Sequence, residues 1–455
     1  MRHVVVIGAG IAGLTAAYEY RRRHPGDSVT VLESSDRAGG KLRAVPFAGH
    51  SFDVGAEMVL TVVPDALDLI EAVGLGDDLV HPSTTTASIA IRGRRHPIPT
   101  GTVLGVPASA DDLVGSQLFS PAALDRIRDE PNSPGPLLTQ DESVGGFLRP
   151  RLGDELVDLL IEPLLGGVYA GRADALSLKA TMPALAEALQ RERSVLRAAA
   201  SVRRDPSGGP VFATLRGGLA QLAQALVERS GAQLRLGTTV RAVRRIGSGF
   251  QIDCGAVLAA TVVEADAVVI AVPAPNAARL LAPLAADAAE ALAEIPMASM
   301  AILALAWPAG QGSLPQGSGL LVPPTAGGLV KAVTISSNKW SHLSEPGILV
   351  RASVGRIGEE RGLQRNDVDL LTAAGQEVAE LLDLDRSPSA GTVTRWGGGL
   401  PQYTVGHLDR VADVRSGVAE IPGLAVAGAA YDGVGVPACI RSAHAAVDAL
   451  DALDA

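Results

Sequence analysis

Val4-Val5-Val6-Ile7 is a β-branched run without polar alternation, the pattern of a strand covered on both faces in a parallel sheet. It runs directly into Gly8-Ala9-Gly10-Ile11-Ala12-Gly13. A helical stretch over residues 11–23 and a second apolar strand over 28–32, ending at Glu33, complete a predicted βαβ unit. A Pro/Gly/Ser-rich region over 97–136 then separates this start from helical sequence over 144–204, which suggests a domain junction. From Thr214 the pattern turns β-rich, with strands expected over 233–236, 240–245, 250–253 and 267–272. Alternating stretches over 300–306, 319–322, 329–336 and 348–354 predict a separate, more antiparallel sheet, and 370–382 predicts a helix. A short buried strand over 424–427, a glycine-rich loop and a helix over 437–453 return the chain to the α/β pattern with which it began.

Composition narrows the classes. The chain has 455 residues, 47% of them hydrophobic and 19% charged, which is opposite to the bias of disordered sequence and long enough for two or three domains. Aromatics are only 3%, so the core is built from small aliphatics and closely approaching backbones. A net charge of −10 argues against binding nucleic acid, because a phosphate backbone requires a basic face. Cys254 and Cys439 have neither CxxC nor zinc-type spacing and are expected to be buried thiols in a reducing compartment, with no metal site. The N-terminal apolar run is too short for a signal peptide, and the most apolar long stretch, 256–272, is interrupted by Glu264 and Asp266. A cytoplasmic protein without a transmembrane segment is the expectation.

The three glycines of the GxGxxG turn have different tasks. Gly8 permits the tight turn, Gly10 lets backbone approach a pyrophosphate, and Gly13 lets helix pack on strand, while the helix N-terminus offers unpaired N–H groups to phosphate. Glu33, 20 residues beyond Gly13, is placed to accept hydrogen bonds from a ribose. The following Ser34-Ser35-Asp36-Arg37-Ala38-Gly39-Gly40-Lys41 resembles the extended DRxGG segment of flavoproteins, which selects FAD over NAD. Phe52 to Met58 places a glycine turn where such proteins pass beside the isoalloxazine ring, and Gly428 to Pro437 offers a second helix N-terminus for the flavin's pyrimidine edge.

Four separated motifs then resemble the protoporphyrinogen and coproporphyrinogen oxidase family across essentially the whole chain. They are Glu162 to Gly171 with Asp174, Leu176-Ser177-Leu178, Ala180 and Met182-Pro183; Leu215-Arg216-Gly217-Gly218-Leu219; Pro401-Gln402-Tyr403-Thr404-Val405-Gly406-His407; and Gly428 to Ile440. The resemblance implies an α/β fold: a Rossmann-like, p-hydroxybenzoate-hydroxylase-like FAD-binding domain (1–75, 210–275 and 390–455), an inserted α+β substrate domain (76–105 and 276–389) and a helical domain (106–209), the last able to make peripheral membrane contact. It implies FAD contacts at Gly8, Ala9, Gly10, Ile11, Ala12, Gly13, Glu33, Ser34, Lys41, Gly55, Ala56, Glu57, Met58, Val240, Trp396, Val434, Gly435 and Val436. Gly167, Val168 and Tyr169 are expected to line the substrate.

The implied chemistry, in haem biosynthesis, removes six electrons from a porphyrinogen in three rounds. In each a meso-carbon hydride passes to flavin N5 and a pyrrole proton leaves, and molecular oxygen reoxidises the flavin to give hydrogen peroxide. No side chain stands out as a general base; His407 and Glu57 are candidates. The eukaryotic branch carries Arg where this chain has Glu57, and another Arg after a PTG sequence where Pro99-Thr100-Gly101 is followed by Thr102 and Val103. These departures favour the Gram-positive-type coproporphyrinogen III oxidases, and Arg92, Arg94 and Arg95 become candidates for holding propionates. Protoporphyrinogen IX oxidation, a flavin amine oxidase or carotenoid desaturase, and a noncatalytic FAD-binding protein remain alternatives.

Overall fold

A computed structural model describes residues 1–203, 209–311, 314–344 and 347–452. The chain forms two compact units: residues 1–81, 210–296 and 408–455 in the first, and 82–209 and 297–407 in the second.

The first unit is built on a parallel sheet of β1 (His3–Ile7), β2 (Ser28–Leu32), β3 (Gln233–Arg235), β4 (Ala267–Ile270) and β5 (Leu424–Val426), in the order β3-β2-β1-β4-β5. Val4 pairs with Val29 on one side and Ala267 on the other. Val4, Val6, Val31 and Val269 form one core with α1 (Ile11–Arg23), the helix Ala220–Ser230 and α2 (Val436–Asp451), through Leu14, Ala17, Leu226, Ile440, Ala443 and Val447. Val5 and Ile7 point the other way and are buried too, which is why the strand shows no polar alternation. Because all five strands are parallel, the turns leaving β1 and β5 for α1 and α2 open at the same, C-terminal edge. That edge is where doubly wound sheets bind ligands.

The second unit holds a seven-stranded sheet in the order Ala390–Pro401, Met297–Pro308, Gly347–Val354, Val330–Ile335, Gly319–Leu321, Ala87–Ile91, Arg94–Pro97. Its pairings are antiparallel except Gly319–Leu321 with Ala87–Ile91. The helix Asp367–Leu382 seals one face through Leu370, Ala374 and Val378, against Leu303, Leu305, Val350 and Ala352.

The division differs from the expected segments. Residues 276–296 stay with the first unit and 390–407 join the second, and the helices over 106–209 share a unit with the sheet. The strand over 390–401, which the sequence pattern did not single out, pairs with Met297–Pro308 from Ala306↔Ala390 to Met297↔Pro401.

Among the helices, Glu130 is a buried acid whose carboxylate accepts from Ser194 Oγ (2.6 Å) and from the N–H groups of Val195 (2.7 Å) and Leu196 (3.4 Å). It thereby satisfies the first turn of the helix Val195–Val202 from 65 residues away. Glu130→Ala leaves those donors buried and unpaired, so urea unfolding should show a loss of about 2–3 kcal/mol. An unchanged midpoint would remove Glu130 as the cap.

Candidate active site

The glycine turn of the first unit explains its own sequence. Gly8 has φ +106°, and a Cβ there would lie 2.6 Å from Ala271 O. A Cβ on Gly13 would lie 1.9 Å from Gly8 O, so helix and strand approach only because neither residue carries a side chain. Gly10 is different: its φ is −75°, and a Cβ would meet nothing within 4 Å. It is the N-cap of α1 and caps the helix with no side chain, so among the described residues the first-turn N–H groups have no side-chain acceptor.

Glu33 acts on this turn directly. Its Oε2 accepts from Ala9 N–H (2.8 Å), and its Oε1 accepts from Ser35 N–H (2.8 Å), Ser35 Oγ (2.9 Å) and Ser34 Oγ (3.3 Å). Burial alone would raise the carboxyl's pKa, but these donors outweigh it and hold the pKa below the usual range. The expectation gave Glu33 only a ribose-binding role. Its bond to Ala9 was missed because spacing in sequence carries no information about which backbone group lies opposite.

The segment after Glu33 returns to the turn. Gly39 N–H donates to Ala9 O (2.8 Å), and a Cβ on Gly40, at φ +54°, would lie 3.0 Å from Gly10 Cα. Arg37 folds back to donate to Gly40 O (2.7 Å) and Ala38 O (3.2 Å), which makes it a clamp on its own loop, while Asp36 and Ser34 are exposed. Lys41 follows, half-buried; burial lowers its ammonium's pKa, and Cys439 of α2 lies near it. Among the described residues nothing accepts a hydrogen bond from that ammonium. Ala56 N–H donates to Lys41 O (2.9 Å), which sets Gly55, Ala56, Glu57 and Met58 beside the same strand end, with Glu57 buried.

Gly237 and Thr238 N–H donate to Ser35 O and Glu33 O (both 2.7 Å), two residues ahead of buried Val240, whose carbonyl accepts from Arg279 (3.0 Å). At the other helix, Gly435 is the N-cap of α2, again without a side-chain cap, between Val434 and Val436, with Pro437 in the first turn. Glycine turn, Glu33, Lys41, the 55–58 turn and the 434–436 loop thus converge at one edge of the sheet.

These features coincide with what is found in known proteins. The model for flavin-containing amine oxidoreductases matches residues 11–451. The chain belongs to that family. It is similar to the coproporphyrinogen III oxidase of Mycobacterium tuberculosis, with 38% identity over 458 residues covering 100% of this chain and 98% of the relative. It is 33% identical over 467 residues to the coproporphyrinogen III oxidase of Bacillus subtilis, covering 99% and 98%. A crystal structure from Exiguobacterium sp. 255-15, provisionally named protoporphyrinogen oxidase, matches with a TM-score of 0.89, 33% identity and 99% coverage of both chains.

The edge of the first unit suits the cofactor of a flavin-containing amine oxidoreductase. Two helix N-termini lack side-chain caps, Gly10 leaves space where a Cβ would stand, and Lys41 brings an ammonium without a partner among the described residues. Unpaired N–H groups, a bare backbone and one cation are what a dinucleotide's pyrophosphate requires. The protein is an FAD-dependent oxidoreductase. Among the described residues no helix is long and apolar enough to cross a membrane, and both cysteines are buried and free.

The second unit holds the remaining expected residues. Trp396 is half-buried on the strand Ala390–Pro401, opposite Met300 and next to an irregularity in register. The helix Glu162–Tyr169 ends in Ala170, at φ 52°, and exposes Gly167 and Val168 (45% exposed). Tyr169 turns inward; its ring centroid is 5.7 Å from that of Tyr403, and burial pushes its phenol up to about 12. His407 is 0% exposed and stacks on Tyr403 at 3.8 Å, so it packs behind Tyr169 and has no surface from which to take a proton from a substrate.

The two central motifs buttress each other, which the sequence reading did not recognise. Gln402 Nε2 donates to Tyr169 O (2.7 Å), Ser177 N–H to Tyr403 O (2.7 Å), and Ile357 N–H to Ala170 O (2.8 Å). Arg92, Arg94 and Arg95 sit on an exposed hairpin, where Arg95 donates to Leu381 O (2.9 Å) and pairs with Asp383. All three arginines are exposed at this edge of the sheet, a solvated face where an ion pair is worth little.

Proposed function

We propose that this chain oxidises coproporphyrinogen III to coproporphyrin III, with molecular oxygen as acceptor. The observation that carries the reading is the 38% identity, over the full length of this chain, to a coproporphyrinogen III oxidase. The balance is one porphyrinogen and three O2 giving one porphyrin and three H2O2. Bound flavin supplies the acceptance of an electron pair in each of the three rounds.

The chain's own residues would bind and orient. The backbone of Gly8, Ala9, Gly10, Ile11, Ala12 and Gly13, with Glu33, Ser34 and Lys41, would hold the ADP half of FAD. Val240, through its backbone, would hold the adenine end, the 55–58 turn and the N-terminus of α2 at Val434, Gly435 and Val436 would hold the flavin end, and Trp396 would be a further contact of the cofactor. A positive helix end there favours charge accumulating on the ring during reduction. Gly167 and Val168 form the wall against which the macrocycle lies, and Tyr169 supports it from behind.

The name of the Exiguobacterium structure favours a second reading, protoporphyrinogen IX as substrate. Porphyrin fluorescence with each porphyrinogen, in air and under anaerobic conditions, separates the two. Faster oxidation of coproporphyrinogen III in air, with peroxide released, is expected; equal or reversed preference sinks the first reading, and porphyrin formed without oxygen sinks the proposed acceptor.

A further inference from the structure

The helix Glu162–Tyr169 ends in carbonyls that need donors, and one donor is an amine. Lys331 lies on the strand Val330–Ile335 where the register shifts between Val330 and Ala332, an irregularity that re-aims a side chain. It is 3% exposed, and its Nζ donates to Gly166 O at 3.4 Å. That carbonyl already accepts the last helical N–H, from Ala170 (3.0 Å), and directly precedes the exposed Gly167 and Val168.

No acid pairs with Lys331 among the described residues. Arg356 and Arg351 oppose its charge, and Glu359, the acid near enough to favour it, is shared by Arg356 and Arg172. On the helix, Glu162 is engaged by Arg172 (3.3 Å) and the Ala173 N–H (2.5 Å), and the Tyr169 ring lies against Tyr403. Burial first, and then the two guanidinium groups, pull the ammonium down to about 7. Of the donors to this turn, Gln402 Nε2 and the Ile357 N–H do not titrate. Lys331 does, and an ammonium is a stronger donor to a carbonyl than a neutral amine.

We propose that Lys331 is a positioning residue whose protonated amine fixes the Gly167–Val168 turn, so that loss of the proton loosens the turn and weakens porphyrinogen binding. The inference rests on the reading above that Gly167 and Val168 meet the substrate. It predicts that KM for coproporphyrinogen III rises about three- to tenfold as pH passes upward through neutrality, with kcat little changed, the size of one charge-assisted bond lost. Lys331→Arg, which keeps its charge, holds KM low to pH 9. Lys331→Met has the high KM at every pH.

Hydrogen exchange of residues 166–171 in the FAD-loaded protein reads the turn without substrate: Lys331→Met should exchange faster than the native chain at pH 6 and at the same rate at pH 9. If the native chain oxidises no porphyrinogen, the substrate reading fails while exchange still decides the hold on the turn. Should Lys331→Met not fold, Lys331→Gln takes its place in both measurements. A flat native KM, or exchange in the neutral variant equal to native at pH 6, overturns the proposal.

Discussion

Gly10→Ala should give a folded protein that is colourless, whereas Gly13→Ala should fail to give the fold. The two glycines are three residues apart in one turn, and their surroundings are opposite. At Gly10 the backbone has φ −75°, which alanine adopts freely, and the added methyl meets nothing within 4 Å. The expected cost to the apoprotein is below about 1 kcal/mol, the size of an altered N-cap. The methyl would, however, stand where the pyrophosphate must approach the N–H groups of α1, and flavin titration should show FAD affinity lowered at least about 100-fold, near 3 kcal/mol. At Gly13 the methyl would lie 1.9 Å from Gly8 O and 3.2 Å from Ala271 Cβ. Both are fixed by β1 and the end of β4, and no rotamer change can relieve overlap with a backbone oxygen. The chain must separate α1 from the sheet, which opens the core that α1 shares with β1, β2 and β4, and circular dichroism on the soluble fraction should register it. A yellow Gly10→Ala protein with native FAD affinity would mean that the pyrophosphate does not pass over this residue.

That pair also marks what the sequence could carry. β1, α1 and β2 were legible because burial on both faces writes an unbroken apolar run and because each glycine answers a steric demand made within a few residues. Four strands of the second unit's sheet were legible, over 300–306, 319–322, 329–336 and 348–354, but not which strands they neighbour. The edge strand Ala390–Pro401, whose Gly397-Gly398-Gly399 run hides any alternation, was not legible, and it pairs with Met297–Pro308. Residues acting across long separations were opaque. Gln402 was visible as part of a motif, but its bond to Tyr169 O spans 233 residues. Glu130 was not visible at all. His407 as a base and Arg92, Arg94 and Arg95 as a carboxylate site followed from side-chain chemistry alone, and burial decides between chemistry and packing: the histidine is sealed against Tyr403 and the arginines face solvent. Lys331 fell inside an apolar strand pattern, where a lysine is expected to reach outward. A register irregularity turns it inward, and no periodicity reports one.

Removing that lysine's charge should stabilise the protein, and by an amount that depends on pH. In the unfolded chain Lys331 titrates near 10.5, and in the folded protein burial brings it to about 7. Between those values the unfolded state binds more protons, so stability rises with pH across this window. Below pH 7 both states carry the proton and the folded protein bears the full penalty, up to about 5 kcal/mol at 1.36 kcal/mol per unit. Above 10.5 both are neutral and the penalty is gone. Lys331→Met replaces the amine with an unbranched apolar chain of similar length and gives up one hydrogen bond, to Gly166 O, at a cost of about 1 kcal/mol. The variant should therefore unfold at higher urea than the native chain at pH 6, by several kcal/mol, and the two should converge as pH approaches 10. A native chain as stable as Lys331→Met at pH 6 would mean that the ammonium has a counter-charge or water in its pocket. The sign also bears on function, because the variant expected to be more stable at pH 6 is the one expected to bind porphyrinogen less well there. A buried cation that weakens the fold while tightening a substrate-facing turn separates the two roles, since a residue serving the fold alone would move stability and KM in the same adverse direction when removed.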